Sequence, residues 1–442
     1  MRGTSWLVVG YGGAQALRLA SNLILARLLF PEAFGLMALV TMVTVGLMLF
    51  SDVGISPAIA QSPRGDDPDF LNTAWTLQVI RGVILWILAT ALAAPLAAFY
   101  AAPDLALYLP IAALALLISG FNPTRIETAN RHLALGRLTQ LDLAAQAIGV
   151  AAMIGLAWMT GSVLALVIGG VVTAAAKLIL THLGLPGPRN RFRLERAALA
   201  SLLRFGGWIF LSTAFFFVSS QGDRAILGKF LSLDALGLYN IGYFLASFPL
   251  LLIQAVTLRL LIPVYRDLPP TASAQNRAKL SRLRHAMTAA GLSMIAVMAL
   301  AGPWLVDLLY DARYAAAGGI VTALACALAP QIVGASYDQA ALAAGDSRRF
   351  FLFSASRASL QVVFLFAGFA AFGLAGALGG LGLALLASHL VLIRLARLHG
   401  AWDARHDAVW LPVTALLVAA ALWLNHDAVL ALADFGLRQA RP

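Results

Sequence analysis

The sequence predicts an all-α polytopic membrane protein in which two parallel six-helix lobes are followed by a short C-terminal transmembrane element. Three observations lead to this prediction. Of the 442 residues, 61% are hydrophobic and only 12% are charged, and the mean hydropathy is +0.84. Apolar runs of about twenty residues, the length that crosses a hydrocarbon layer of about 30 Å as a helix, recur along the whole chain. One stretch near the start of the chain is nearly repeated in its second half.

Each apolar run predicts one helix that crosses the membrane. Twelve such spans are predicted, at 6–29, 34–60, 74–100, 105–122, 140–159, 162–184, 204–228, 236–263, 286–310, 317–344, 351–372 and 376–396. A thirteenth is predicted at 409–424, whereas the apolar piece at 428–437 is too short to span a membrane alone. The first run begins like a signal peptide, but Gln15, Arg18 and Asn22 interrupt it and no cleavage pattern follows, so it is counted as a span.

Basic residues are distributed unevenly between the connections that join these spans. The connections after odd-numbered spans hold only Arg27, Lys229 and Arg313. The positive-inside rule therefore places the N-terminus and the even-numbered connections in the cytoplasm. This distribution also accounts for the net charge of +11 without a nucleic-acid partner. The basic residues of the even-numbered connections are Arg64, Arg125, Arg131, Arg137, Arg189, Arg191, Arg193, Arg196, Arg204, Arg266, Arg277, Lys279, Arg282, Arg284, Arg348, Arg349, Arg394, Arg397 and Arg405.

The repeated stretch reads ILARLLFPEAFGLMAL at 24–39 and ILGKFLSLDALGLYNI at 226–241. A basic and an acidic residue of the first copy, Arg27 and Glu32, have counterparts of the same charge in the second. Each copy ends one helix and begins the next with an acid, which a helix N-terminus favours. Chance similarity between two apolar helix ends is the alternative, but it accounts poorly for a matched acid, base and glycine. Because an even number of spans separates the copies, the repeats are parallel.

The repeat divides the chain into two lobes of six spans each. The N-terminal lobe is predicted at 1–184 and the C-terminal lobe at 204–398. A basic cytoplasmic linker is predicted at 185–203, and a tail with the thirteenth span at 399–442. Two such lobes around a central path are typical of a secondary transporter that opens its site alternately to the two sides of the membrane.

Five segments of the chain are similar to those of one protein family. They are ARLLFPEAFGLMAL at 26–39, FSDVGISPAIAQ at 50–61, LNTAWTLQVIRG at 71–82, RIETANRHLALGRL at 125–138 and DRAILGKFLSLDALGLYNIGY at 223–243. They resemble the Wzx-type oligosaccharide flippases, the polysaccharide-transporter branch of the multidrug/oligosaccharidyl-lipid/polysaccharide (MOP) superfamily. The resemblance extends over residues 5–400.

This resemblance implies MATE-like lobes and a protein that is not an enzyme. It implies a flippase that moves polyprenyl-pyrophosphate-linked oligosaccharide from the inner to the outer leaflet of the bacterial inner membrane by alternating access. The product would be a surface polysaccharide: O-antigen, capsule or exopolysaccharide. The implied partners are the lipid-linked oligosaccharide, membrane lipids, a polysaccharide polymerase and chain-length machinery, with no nucleic acid, cofactor or metal. The two final helices of the longer members are reduced in this sequence.

Polar and charged side chains inside the predicted spans are the candidates for binding such a cargo. An ionised side chain at mid-membrane costs about 2.5–3.5 kcal/mol, so it is expected to face a cavity or a partner. Gln15, Arg18 and Asn22 lie on one face of the first span. We expect this face to bind substrate, and pairing of Arg18 with an acid or with helix carbonyls is the alternative.

Further substrate-binding candidates are found in three other spans. They are Gln221 and Arg224 in the seventh span, Arg81 in the third, and Tyr337 and Gln339 in the tenth. Three of them have a structural alternative. For Arg224 it is pairing with an acid close in sequence, for Arg81 it is snorkelling of the side chain to lipid headgroups, and for Tyr337 it is packing.

Two acids inside the spans, Asp52 and Asp338, are candidates for binding a coupling cation or proton. Asp52 lies beside Gly54 and Pro57, where a helix is expected to break and free its backbone groups. The alternative for Asp52 is that it caps or pairs locally at the end of the second span.

Other functions compete with the flippase. A lipid II flippase and a cation-coupled multidrug exporter belong to the same superfamily, and an exporter of cationic drugs would need more intramembrane acids than this chain has. A membrane-bound polymerase or ligase would need catalytic groups gathered at an outer surface, and the outer connections are short. Cys326 is the only cysteine and the seven histidines are scattered, so no metal-site motif is present.

Overall fold

The computed structural model describes residues 2–52, 54–433 and 435, apart from the side chains of residues 2–9, 11, 203–212, 259, 260 and 262. Within these residues the secondary structure consists of sixteen α-helices and one short 3₁₀ helix. The chain divides into two compact units, Met1–Phe217 and Val218–Pro442. The boundary between these units falls within one long helix.

The first unit contains eight helices and the beginning of a ninth. These are α1 (Arg2–Leu28), α2 (Pro31–Phe50), α3 (Ile55–Gln61), α4 (Pro68–Phe99), α5 (Leu105–Gly120), α6 (Arg125–Arg131), α7 (Leu135–Thr160), α8 (Leu164–Gly184) and α9 (Arg196–Phe230). The helices that lie wholly in the second unit are α10 (Leu233–Asp267), α11 (Ala274–Leu309), α12 (Ala317–Gly334), α13 (Gln339–Ala343), α14 (Ser347–Leu398), α15 (Ala404–Leu424) and α16 (His426–Leu430).

Every predicted span has a corresponding helix. Among the described residues, nine helices are long and apolar enough to cross a membrane, or ten if α5 and α6, bent by 63°, form one span. This number is lower than the thirteen predicted for three reasons. The helix α14 contains two predicted spans, α1 is interrupted by polar residues, and part of α9 carries side chains that the structure does not describe.

The helix α14 is a hairpin of two antiparallel halves. As one straight helix its 52 residues would extend about 78 Å, far more than a bilayer needs. It reverses at Gly373, whose φ of 56° and ψ of −141° suit only glycine. A methyl group on Gly368 would lie 2.0 Å from the carbonyl oxygen of Gly376, and one on Gly380 would lie 2.1 Å from that of Phe364. The halves therefore correspond to the eleventh and twelfth predicted spans.

The sequence repeat is also a structural repeat. Two residues separate α1 from α2, and two residues separate α9 from α10. The Leu29 backbone N–H donates to the Leu25 carbonyl at 2.8 Å, and the Leu231 N–H donates to the Leu227 carbonyl at the same distance. All four leucines are buried. The two copies thus end and restart their helices with the same local structure.

A second correspondence extends the repeat beyond the stretch visible in the sequence. The helix α5 ends at Gly120 and α12 ends at Gly334. In each case a short helix begins on the fifth residue after the glycine, α6 at Arg125 and α13 at Gln339. The fourth spanning helix of each predicted lobe is therefore followed by the same break and short helix.

Residues 185–195, the first part of the predicted linker, are fixed against the start of α4. We call them the docked segment. Alternate backbone N–H groups of this extended stretch donate to side chains of the first turns of α4. The bonds join Arg191 to Asn72 Oδ1 at 2.9 Å, Arg193 to Thr76 Oγ1 at 3.0 Å and Glu195 to Thr73 Oγ1 at 3.0 Å. The predicted linker extends to residue 203, whereas α9 already begins at Arg196.

Arg125, the first residue of α6, binds carbonyl groups at the end of α8 and at the beginning of the docked segment. Its guanidinium donates to the carbonyl oxygens of Pro188 at 2.9 Å, Leu185 at 3.0 Å and His182 at 3.2 Å. These carbonyls lie at or beyond the end of α8, where helical partners are missing. The Arg125 side chain is buried, so the sequence-based placement of this residue in a basic connection describes only part of its role.

Candidate functional site

The helices α1 and α7 lie side by side and run in the same direction. A methyl group on Gly10 would meet the Thr139 side chain at 2.3 Å. Further along both helices, Gln146 Nε2 donates to the Ala14 carbonyl at 3.5 Å. Glycines on α1 allow this close approach, and the contact fixes which face of α1 remains open.

The polar face predicted on α1 is partly open. Arg18 is exposed, whereas Gln15 and Asn22 are half-buried. Among the residues whose side chains the structure describes, no carboxylate lies within 4 Å of the Arg18 guanidinium. An unpaired guanidinium in a membrane helix attracts anions. The role of these three residues in substrate binding stays a prediction.

An ion pair that the sequence analysis missed lies on the neighbouring helices of the first unit. Lys177 Nζ of α8 lies 2.8 Å from Asp142 Oδ1 of α7, with 36% and 43% of the two side chains exposed. Both residues fall inside predicted spans. Charged residues are rare in membrane spans, so this position could have identified the two residues from the sequence. The pair is internally neutral, so it adds polarity to this unit without adding net charge.

The second predicted span, 34–60, is not one continuous helix. The helix α2 ends at Phe50, and α3 begins at Ile55. Between them Asp52 Oδ1 accepts a hydrogen bond from the Gly54 backbone N–H at 2.9 Å, and Gly54 adopts a left-handed φ of 65°. This geometry is the local capping given above as the alternative for Asp52. A role for Asp52 in binding a coupling cation or proton stays a prediction.

Arg81 is bound to the end of α2. Its Nε donates to Ser51 Oγ at 2.9 Å and its Nη2 donates to the Met48 carbonyl at 2.7 Å. The half-buried guanidinium therefore closes the last turn of α2, where carbonyls lack helical partners. A role for Arg81 in binding pyrophosphate stays a prediction.

Arg224, in the second unit, is buried among partners of its own unit. Its Nη1 lies 3.4 Å from Asp223 Oδ1, and its Nε donates to Asn240 Oδ1 at 3.3 Å. The guanidinium stacks 4.1 Å from the centre of the Tyr243 ring, and Tyr239 donates to the other oxygen of Asp223 at 2.5 Å. These contacts favour the structural alternative for Arg224.

Gln221 lies one turn before Arg224 on α9. Its Oε1 is buried and has no hydrogen-bond partner among the described residues. An unpaired carbonyl oxygen there is available to a donor such as a sugar hydroxyl. Substrate binding by Gln221 and Arg224 stays a prediction.

The polar cluster of the tenth predicted span lies at the break between α12 and α13. Tyr337 is fully buried, and its hydroxyl donates to Asp407 Oδ1 of α15 at 2.9 Å. Gln339 is also buried, and Asp338 Oδ2 lies 4.0 Å from Arg357 Nη1. Of the two roles considered equally for Tyr337, this geometry favours packing over contact with a sugar.

Asp407 is the centre of a buried network that the sequence analysis did not identify. Its Oδ2 accepts from Trp402 Nε1 at 2.9 Å and lies 3.3 Å from His389 Nε2. Its Oδ1 lies 3.2 Å from His406 Nδ1. Arg284, which the sequence places in a cytoplasmic connection, is buried in α11 near this network, with Nη2 donating to the Tyr265 hydroxyl at 2.7 Å.

The network was missed because α15 begins earlier than predicted. The thirteenth span was expected from 409, whereas α15 begins at Ala404 because Asp403 caps it by accepting from the N–H groups of Arg405 and His406. This cap adds a turn that carries His406 and Asp407 into the helix. Because aspartate is a preferred N-cap residue, Asp403 could have indicated the earlier start of α15 from the sequence.

The comparisons with known proteins agree with this architecture. A family model described as polysaccharide biosynthesis protein matches residues 24–318. The teichuronic acid biosynthesis protein TuaB of Bacillus subtilis is 22% identical over 223 residues, which are 50% of this chain and 46% of that protein. The lipopolysaccharide biosynthesis protein WzxC of Escherichia coli is 22% identical over 265 residues, 60% of this chain and 54% of that protein.

A third curated relative is the succinoglycan biosynthesis transport protein ExoT of Rhizobium meliloti. It is 22% identical over 325 residues, which are 73% of this chain and 65% of that protein. The chain thus spans about half to two thirds of the length of the curated relatives it matches.

Two solved structures show the same fold over nearly the whole chain. An inward-facing multidrug resistance MATE family transporter of the MOP superfamily has a TM-score of 0.64 at 15% identity, covering 89% of this chain and 96% of that one. The lipid II flippase MurJ in an inward closed conformation also has a TM-score of 0.64, at 11% identity, covering 96% and 99%. The predicted fold class, an all-helical polytopic membrane fold of the MATE and MurJ type, is confirmed.

Proposed function

The chain belongs to the polysaccharide biosynthesis protein family, and from that membership we propose that it is a flippase for a lipid-linked oligosaccharide. The protein is a multi-pass membrane transporter of polysaccharide biosynthesis within the MOP superfamily. The proposed cargo is a polyprenyl-pyrophosphate-linked oligosaccharide that moves from the inner to the outer leaflet of the bacterial inner membrane. The product would serve O-antigen, capsule or exopolysaccharide biosynthesis, and polymerase and chain-length machinery are the proposed partners.

The physical problem of such a cargo is its headgroup. A glycan and a pyrophosphate cannot enter hydrocarbon without losing their hydrogen bonds to water, whereas the polyprenyl tail is soluble there. A carrier must therefore offer a polar, partly cationic surface to the head and leave the tail in the lipid. We propose that the carrier exposes this surface to each side of the membrane in turn, with its N-terminus in the cytoplasm.

The observation that carries the proposal is the open polar face of α1. Arg18 is exposed on a membrane helix between half-buried Gln15 and Asn22. An arginine in this position can donate several hydrogen bonds to phosphate oxygens, and amides on the same face can bind sugar hydroxyls. Arg224 is less suited to this task, because Asp223 and Asn240 already engage its guanidinium.

The membrane potential favours the proposed direction of transport. Moving one elementary charge through 100 mV corresponds to about 2.3 kcal/mol, and the cell interior is negative. An anionic pyrophosphate is therefore driven outward without a coupling ion. The membrane potential can therefore drive uniport of the anionic cargo. Antiport of a cation or proton through Asp52 or Asp338 is the alternative.

The proposal is tested by flipping in proteoliposomes with Arg18→Ala. Outer-leaflet appearance of a polyprenyl-pyrophosphate oligosaccharide is measured with and without an imposed potential. We expect wild type to respond to the potential and Arg18→Ala to be slower by about tenfold or more, because a lost hydrogen bond to a charged group corresponds to about 1.5–3 kcal/mol. Arg348→Ala, which removes an exposed arginine outside the spans, is the matched control.

Three outcomes would contradict this assignment. Equal transport rates of wild type and Arg18→Ala would rule out Arg18 as a substrate-binding residue. Transport of lipid II in preference to the oligosaccharide would favour the lipid II flippase. A wild type that moves no glycolipid but expels a cationic dye would favour the multidrug exporter.

A further inference from the structure

His389, in the second half of α14, is a buried imidazole with one nitrogen unused. Only 4% of the residue is exposed. Its Nε2 lies 3.3 Å from Asp407 Oδ2, whereas its Nδ1 is buried without a hydrogen-bond partner among the described residues. A buried polar atom of this kind calls for a ligand or a change of protonation state.

His389 lines a small cavity whose wall contains both polar and apolar side chains. The cavity has a volume of about 20 Å³, which is enough for one water molecule, and its wall includes Asp338, Arg357 and Ser388 besides His389. Gly334 keeps the cavity open, because a methyl group there would lie 3.1 Å from His389 Nδ1.

The surroundings of Asp407 fix which nitrogen of His389 carries a hydrogen. Trp402 Nε1 and the Tyr337 hydroxyl both donate to Asp407, at 2.9 Å each, so its oxygens act as acceptors. His389 Nε2 must then donate to Asp407 Oδ2, since a lone pair there would face another lone pair. In a neutral His389 the in-plane lone pair of the ring is consequently on Nδ1, the nitrogen without a hydrogen-bond partner among the described residues.

The charges around His389 balance when its imidazole is neutral. The negative charges of the buried Asp407 and the half-buried Asp338 are matched by the guanidiniums of Arg284 and Arg357. A proton on Nδ1 would add one positive charge between the two carboxylates, which is a favourable position. The titratable and charged groups of the packed elements are Arg284 and His285 on α11, Tyr337 and Asp338 at the α12–α13 break, Arg357 and Arg397 on α14, and Asp403, His406 and Asp407 at the start of α15.

Building on the proposed transport function, we propose that His389 is a proton-binding site of the carrier, loaded from the cavity beside Asp338. A hydronium ion that reaches the cavity gives its proton to Nδ1: one O–H bond breaks, one N–H bond forms, and a water molecule is left. The imidazolium then has a donor on each side, toward Asp407 on α15 and toward Asp338 at the α12–α13 break. Uptake and release of this proton would tighten and loosen the packing of three helices during transport.

The first test reads proton binding without transport. The full-length protein in lipid nanodiscs carries ¹⁵N-histidine, and the ring-nitrogen shifts are followed with pH. The shifts are followed from about pH 8 to about pH 5. We expect the His389 resonance, identified by its absence in His389→Gln, to change over this range and the change to differ in Asp338→Asn. His389→Asn provides the assignment if His389→Gln does not fold. A His389 resonance that is constant over this range would overturn the proposal.

The second test asks whether the proton is coupled to transport. Flipping is measured at zero potential with and without a pH gradient. We expect the gradient to change the wild-type rate several-fold, His389→Gln to lose this dependence, and His182→Gln, which removes an exposed imidazole on α8, to keep it. A wild type indifferent to the gradient, or a His389→Gln variant with unchanged dependence, would overturn the coupling. A wild type that moves no glycolipid at all would contradict the flippase instead, because the nanodisc titration reports on His389 independently.

Discussion

Arg64 holds the end of the docked segment through an ion pair with Glu195. Its Nη2 lies 2.7 Å from Glu195 Oε2 and its Nη1 donates to Glu195 Oε1 at 2.9 Å, while Asp67 contacts the same guanidinium. The Arg64 guanidinium lowers the pKa of Glu195 and that of Asp67, and the two carboxylates in turn raise the pKa of Arg64. The chain segment that leads into α9 is therefore held by groups that respond to pH.

We expect this attachment to weaken in acid. Because the pKa of Glu195 is lower in the folded protein than its ordinary value, its contribution is complete above about pH 4.3 and is lost as the pH falls through the lowered value. A spin label on Leu194→Cys, in a Cys326→Ala background, should gain mobility below about pH 4. Glu195→Gln should be more mobile at every pH, and equal mobility of wild type at neutral and acid pH would contradict the prediction.

Single residues in apolar runs were visible in the sequence, but their partners were not. Charge inside a span is enough to single out Arg18, Arg224 and Asp338. Sequence spacing shows which residues share a face of one helix, but it does not show which face meets another helix. The contact of His389 with Asp407 joins two helices, so no spacing within one helix predicts it.

The turn inside α14 controls the shape of that element. Gly373 reverses the chain, and the backbones of the two halves touch where Gly368 faces Gly376. Small residues four apart at 376 and 380 predict close helix packing, and the structure identifies the partner as the preceding half of the same element. The sequence predicts the two spans from their length, whereas the tightness of their contact follows from glycines that a hydropathy profile ignores.

Two glycines of this hairpin should respond differently to alanine. A methyl group on Gly376 would lie 2.0 Å from the Gly368 carbonyl, whereas one on Gly379 would meet nothing within 4 Å. We expect Gly376→Ala to lower the free energy of unfolding by about 1–3 kcal/mol through overpacking. Gly379→Ala should be neutral or stabilising by about 0.5–1 kcal/mol, because alanine favours helix. Thermal unfolding of the purified variants measures both, and similar melting temperatures for the two variants would argue against close packing of the halves.

Element boundaries were less predictable than element number. The break after α2 depends on the Asp52 turn, and the early start of α15 depends on the Asp403 cap. Both are side-chain to backbone bonds that hydrophobicity does not register. Hydropathy therefore predicts that a span exists, and local hydrogen bonds decide where it begins and ends.

At the scale of the whole molecule, composition and the repeat were sufficient to predict a polytopic membrane protein with two similar lobes. The resemblance to the oligosaccharide flippases implied MATE-like lobes, and the solved structures of the MATE and MurJ type confirm this fold class. The predicted lobe limits, 1–184 and 204–398, remain a prediction, and the compact units of the structure meet inside α9 at Phe217 and Val218. The substrate is not predictable at this scale, because a glycan is recognised by side chains that diffuse helix-turn motifs do not specify.

The predicted orientation can be measured with two cysteines. In a Cys326→Ala background, Asp104→Cys probes an odd-numbered connection and Arg189→Cys an even-numbered one, and both positions are exposed. We expect a membrane-impermeant maleimide to label Asp104→Cys in intact cells, and Arg189→Cys only after permeabilisation, since basic connections stay in the cytoplasm. The reverse pattern would invert the topology and the proposed direction of transport.

The docked segment also bears on the order of events during synthesis. The side chains that receive its backbone N–H groups belong to α4, and Arg64 and Arg125, which hold its two ends, likewise precede it in the chain. Nothing that the ribosome adds after Glu195 is needed to form these bonds. Because nascent chains generally fold from the N-terminus, the first eight helices can bind the docked segment before α10 has emerged. The second half of the protein is then synthesised after these contacts have formed.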